Sequence, residues 1–160
     1  MKNIKEPFVM ILIGPTLSGK STYIRNNYAD IDVISRDEIV MEVFGSRDYN
    51  LAFKEVDHKE VDRVLALRLK AANDSKTSVI VDMTNMVAKR RMSTLKNFDE
   101  SFSRVAVVFP ILSEEEYTKR NHDRNINENK WIPPFVIKSM IDSYQEPTLE
   151  EGYDRIIILT

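Results

Sequence analysis

The chain has 160 residues, 42% of them hydrophobic and 30% charged, with a net charge of −2 and no cysteine. That length suits one domain with a real core, and the composition excludes a disordered chain. Without cysteine there is no disulfide framework, no thiolate zinc site and no thiol nucleophile. The slightly negative balance argues against a surface that coats nucleic acid broadly, so any contact with a polyanion must be local.

The first apolar run, Phe8 to Ile13, is too short for a signal-peptide core or a membrane span and reads as a buried strand. A cytoplasmic location is therefore expected, with no membrane partner. The run leads into Gly14-Pro15-Thr16-Leu17-Ser18-Gly19-Lys20-Ser21, and Thr22, Tyr23 and Ile24 can continue it as a helix. Strand, glycine-bounded loop and helix in this order form the P-loop pattern G-x-x-x-x-G-K-S. Backbone N–H groups at a helix N-terminus cradle anionic oxygens, and glycine lets the chain approach them without a Cβ. Lys20 can reach the outer phosphates of a nucleotide and the Ser21 hydroxyl can ligate Mg²⁺.

Further strands are expected at Ile31–Ile34, Ser78–Val81, Val105–Phe109 and Ile156–Leu159, each separated by helical signals. Strands alternating with helices predict a five-stranded parallel sheet, covered by helices on both faces, in one domain spanning residues 1–160. Between the second and third strands, Leu51, Val56, Val61, Leu65 and Leu69 recur at helical intervals from Leu51 to Ala72. Asp57, Glu60, Asp62 and Arg63 then read as its solvated face. His58 reads as a surface-helix histidine rather than a base, because no acid or nucleophile is spaced to serve it. Ser113 with Glu116 three residues on predicts a capping box.

Three stretches carry the chemistry beyond the loop. The third strand ends "VIVDMTN", where Asp82 can serve the metal. No glutamate stands beside it to position water, which weakens a hydrolase reading. The second strand ends "VISRDEIV", and in an open parallel sheet the carboxyl ends of the strands converge on the ligand crevice. Asp37 there can either accept a proton from an attacking hydroxyl or supply a cap or first-turn charge to the following helix. In "YTKRNHDRNINENKWIPP", Arg120 and Arg124 are four apart on one helix face. They can stabilise charge on a transferring phosphoryl group or form a solvated face.

Taken together, "GPTLSGKS", "SRD", "DMTN" with Arg90 and Arg91 shortly after, "KRNHDR" and "IPPFVIKSMIDSYQEPTLEEGYDRIIIL" resemble the kinase domain of polynucleotide 5′-hydroxyl kinases, the end-healing enzymes of bacteriophage and animals. The resemblance spans nearly the whole chain and implies a P-loop kinase fold with an arginine-bearing lid. It implies that residues Gly14 to Thr22 bind ATP, with Lys20 and Ser21 on the β- and γ-phosphates and Mg²⁺. By the same resemblance Asp37 is the general base on the acceptor hydroxyl and Arg120 and Arg124 are the lid arginines. The acceptor is then the 5′-hydroxyl of a DNA or RNA strand, with Arg36, Asp37, Thr84, Asn85 and Arg90 on its side of the site.

Two departures fall on that acceptor side. The family's arginine three residues beyond the catalytic aspartate is Val40 here, and its acidic residue before the Thr-Asn pair is Met83. Arg36, Lys89, Arg90 or Arg91 would have to supply the missing cation. Two alternatives stay open: a kinase of another hydroxyl (a nucleoside, a sugar or a hydroxymethylated base in DNA), suited by apolar Val40 and Met83, and an ATP-binding switch with a protein partner.

Overall fold

A computed structural model describes residues 3–160. Five strands, β1 (Phe8–Ile13), β2 (Asp32–Ser35), β3 (Val79–Asp82), β4 (Ser103–Val108) and β5 (Arg155–Ile158), form one sheet. Their order is β2-β3-β1-β4-β5, with every neighbour parallel. Among the described residues seven α-helices connect them: α1 (Lys20–Asn27), α2 (Arg36–Phe44), α3 (Tyr49–Glu55), α4 (His58–Ser75), α5 (Ala88–Leu95), α6 (Glu114–Glu128) and α7 (Pro134–Asp142). The expected P-loop kinase fold is the observed one, with strand ends shifted by one or two residues.

The alternation of side chains along a strand divides β1 between two cores. Val9, Ile11 and Ile13 join one, with Ile39 and Val40 of α2 and Val61 and Leu69 of α4. Phe8, Met10 and Leu12 join the other, under Ile24 of α1 and Tyr28 beyond its end. Val9 to Ile13 are without exposure to solvent, as a central strand of a parallel sheet requires.

The stretch expected as one helix from Leu51 to Ala72 is two, α3 and α4. Asp57 breaks it: its carboxylate accepts hydrogen bonds from the amides of Lys59 and Glu60 and caps α4, a role that outweighs the apolar spacing. Leu51 is accordingly 46% exposed rather than core. Ser113 does cap α6 through the Glu116 amide, at 3.1 Å. Glu116, however, turns its carboxylate to Arg120 at 2.8 Å instead of back to the cap.

Arg91 does not face a ligand. Its guanidinium is fully buried and binds both carboxylate oxygens of Glu151, at 2.8 and 3.0 Å. It also donates to the carbonyls of Asn85, at 2.8 Å, and Gln145, at 2.9 Å. One side chain thus ties the loop after β3 to the segment after α7. Removing one partner of a buried pair leaves a charge without compensation, which costs about 3–5 kcal/mol. Arg91→Met should lower the unfolding free energy in urea by that order, and Arg91→Met with Glu151→Leu should recover part of it; equal stability of wild type and Arg91→Met would contradict this role.

Candidate active site

The loop after β1 is shaped by two positions. A Cβ on Gly14 would lie 2.7 Å from Ser18 Oγ and 2.9 Å from Phe109 Cβ, so only glycine fits there. Gly19, at φ 97°, is the N-cap of α1, a conformation open to glycine at little cost. The loop is braced from within by Ser18, whose hydroxyl donates to the Pro15 carbonyl at 2.7 Å. From outside, the Gly14 amide donates to the Thr84 carbonyl at 3.0 Å. The first turn of α1 therefore points its unpaired amides into the cleft.

That cleft is about 1060 Å³ and is lined by Thr16 to Thr22, Arg36, Asp37, Asp82 to Asn85, Arg90 and Arg124. Lys20 lies in it with its ammonium on the Gly14 and Pro15 carbonyls, at 2.7 and 2.8 Å. Burial pulls its pKa down to about 8, against the opposing pull of Asp82 and Asp37. The Asp82 carboxyl is pushed up by burial, and Lys20 draws it back. Ser21 is exposed toward the cleft, and Asp82 ends β3 beside Ser35 of β2.

Arg120 and Arg124 reach across from α6. Arg120 donates to the Leu17 carbonyl at 2.9 Å, and Arg124 to the Thr16 hydroxyl at 3.3 Å. The other two nitrogens of Arg124, Nε and Nη2, are buried without a partner, and burial lowers its pKa. A buried guanidinium with idle donors beside a ring of loop amides fits an anion that brings several acceptor oxygens. The chain's residues thus fit the triphosphate and its Mg²⁺ that the P-loop implies.

On the other wall, the cap of α2 is Ser35, whose hydroxyl accepts from the Glu38 amide at 3.3 Å. Asp37 stands in the first turn with a half-exposed carboxylate. Arg36 is engaged by Asp62, at 3.1 Å, and by His58 Nδ1, at 3.3 Å. Thr84 and Asn85 are in the cleft wall, but the Asn85 amide is buried and donates to the Leu12 carbonyl at 2.8 Å, stitching β3 to β1. Arg90 is exposed at the wall, Lys89 lies outside it, and Val40 is sealed in the core. Of the apolar pair considered for a small acceptor, Met83 alone faces the cleft.

Sequence reasoning missed Lys130 and Tyr49. Lys130 Nζ lies 3.1 Å from Asp37 Oδ2 and 3.9 Å from the centre of the Tyr49 ring. No periodicity marks a lysine in an irregular loop. Asn50, which receives that loop, is equally silent in the sequence.

The model of the AAA domain family matches residues 9–147. No curated protein sequence matches the chain. Among solved structures, a chain of the Pnkp1/Rnl/Hen1 RNA repair complex is 25% identical, with a TM-score of 0.69 over 89% of this chain. The match covers 45% of that protein, so this chain spans less than half its length. A gluconokinase from Sinorhizobium meliloti is 15% identical, with a TM-score of 0.60 over 97% of this chain and 83% of its own. Kti12 from Chaetomium thermophilum, in complex with ADP-AlF3, is 15% identical, with a TM-score of 0.60 over 95% of this chain and 88% of its own. The last two share the fold. Among the described residues no helix is long and apolar enough to cross a membrane.

Phosphates placed on Lys20 would add negative charge beside it and raise its pKa from about 8. Binding should then take up a proton, and affinity for ATP should fall as pH rises through that value. Calorimetry at pH 8.5 in two buffers of different ionisation enthalpy measures the uptake. Equal heats in both buffers would contradict it.

Proposed function

This chain is a member of the AAA domain family, and on that footing we propose that it transfers the γ-phosphoryl group of ATP to the 5′-hydroxyl of a DNA or RNA strand. The observation that carries the donor half is the idle guanidinium edge of Arg124 beside the loop that Lys20 and Ser18 brace. The acceptor half is supported by the likeness to the RNA repair complex, and it is the finer part of the reading.

In this reading the amides of Thr16 to Ser21, with Lys20, hold the β- and γ-phosphates, Gly14 and Pro15 shape the turn that presents them, and Thr22 continues the cradle. Ser21 and Asp82 would hold Mg²⁺, which would supply positive charge to offset that of the phosphates. Arg124, with Arg120 fixing the loop at Leu17, meets the equatorial oxygens in transit. The acceptor oxygen bonds to the γ-phosphorus as the bond to ADP breaks, and its proton goes to the Asp37 carboxylate. Thr84 and Asn85 keep the acceptor wall in place, while Arg36 and Arg90 border it. Transfer to another hydroxyl is the second reading, favoured by Met83 in the cleft wall.

Asp37→Asn tests the base. Because Ser35 caps α2, the melting temperature should stay within a degree or two of wild type. The kcat/KM should fall at least a hundredfold, about 3 kcal/mol of transition-state stabilisation. Retained activity would sink the assignment. An acceptor screen with labelled ATP decides the substrate: label on 5′-hydroxyl oligonucleotides supports the proposal, and label only on a nucleoside, sugar or hydroxymethyl base overturns it.

A further inference from the structure

Lys130 has no part in the roles above, yet its ammonium is the cation nearest the reacting hydroxyl's proposed base. Its side chain is only 17% exposed. Backbone contacts, not a wandering stem, hold it there. The Asn50 side chain accepts from the Trp131 amide at 3.3 Å and donates to the Asn129 carbonyl at 3.4 Å. Asn121 binds both the carbonyl and the amide of Ile132, at 2.6 and 3.1 Å. The segment from Asn129 to Ile132 is thus a strap from α6 to α3, laid over Asp37.

The strap also brings an aromatic surface. Trp131 is 39% exposed and Phe53 45%, both in the cleft. The Phe53 ring packs at a tilt against Tyr49, with centres 5.8 Å apart and planes 34° apart, and Tyr49 lies beneath Lys130. A fixed cation bordered by exposed rings is the combination that grips the phosphates and bases of a single strand. Of the other cations, Arg91 is buried with Glu151 and Arg36 is held by Asp62; Arg90 and Lys54 also line the cleft, but among the described residues Lys130 is the one bonded to Asp37.

We infer, resting on the polynucleotide reading above, that Lys130 is the acceptor-binding cation. Its ammonium leaves Asp37 for the first internucleotide phosphate when the 5′-hydroxyl arrives, and the terminal base stacks on the Phe53 and Trp131 side. The exchange frees the Asp37 carboxylate for the proton only when a strand is in place. Substrate choice and base activation thereby depend on one side chain.

The test compares wild type, Lys130→Met and Lys130→Arg with a 5′-hydroxyl hexanucleotide at several salt concentrations. Lys130→Met should raise the KM for the hexanucleotide at least tenfold and leave the KM for ATP within twofold. The slope of log KM against log salt should flatten by about 0.7, the contribution of one phosphate contact on a single strand. Lys130→Arg should recover most of the loss and the slope, which a damaged fold would not. An unchanged KM and slope in Lys130→Met, or an equal loss for ATP, overturns the inference while leaving the polynucleotide reading standing. If wild type labels no oligonucleotide, the polynucleotide reading falls and takes this inference with it.

Discussion

Val9 to Ile13 are closed to solvent on both faces of the sheet, and a strand with no free face can carry chemistry only at its ends. Its carboxyl end is held from both sides. The Asn85 amide donates to the Leu12 carbonyl, the Gly14 amide to the Thr84 carbonyl, and the Phe109 amide to the Ile13 carbonyl. Phe109 also closes the space that a side chain on Gly14 would need. The phosphate loop is therefore clamped between the ends of β3 and β4, and its geometry is settled before any ligand arrives. Preorganised donors of this kind need no reorganisation at the moment of reaction.

What distinguishes the cleft from the rest of the surface is how its charges are partnered. Arg91 and Arg104 are spent on internal partners and serve the fold, and within the cleft Arg36 is held by Asp62. Lys20 leans on carbonyl oxygens, Arg124 keeps two idle nitrogens, and Lys130 sits on a half-exposed carboxylate. Burial disfavours the charge on Lys20 and Arg124 alike, so both gain when an anion enters. Stability is given up at these positions for the sake of a ligand. Elsewhere, as at Arg91, burial and pairing close completely.

The lid illustrates the same division along one helix. Glu116 and Arg120 pair on α6, and Arg120 then reaches the carbonyl of Leu17, a residue in the left-handed region at φ 69°. Arg124, one turn further, meets Thr16. Four-residue spacing aligns both arginines over the loop, and the strap that follows lies over Asp37. The phosphate-loop wall and the Asp37 wall of the cleft are thus bridged by one continuous segment from α6 to α7.

The sequence alone determined the five parallel strands, the phosphate loop and the arginine pair, because each rests on local rules: apolar runs, glycine spacing, helical periodicity. It also brought Asp37 and Asp82 to one crevice, since strand ends converge in any open parallel sheet. Tertiary structure decided which side chains remain free to act. Arg90 and Arg91 are neighbours in the chain, yet one lies exposed at the cleft wall and the other is locked to Glu151, sixty residues away. Asp57 and Asp62 both read in the sequence as solvated charges of one helix, yet one caps α4 and the other holds Arg36. Lys130 reaches Asp37 across 93 residues of chain, through a loop without periodicity. Spacing encodes which face a residue takes, but partnership depends on what the rest of the chain brings to that face, and no local pattern records it.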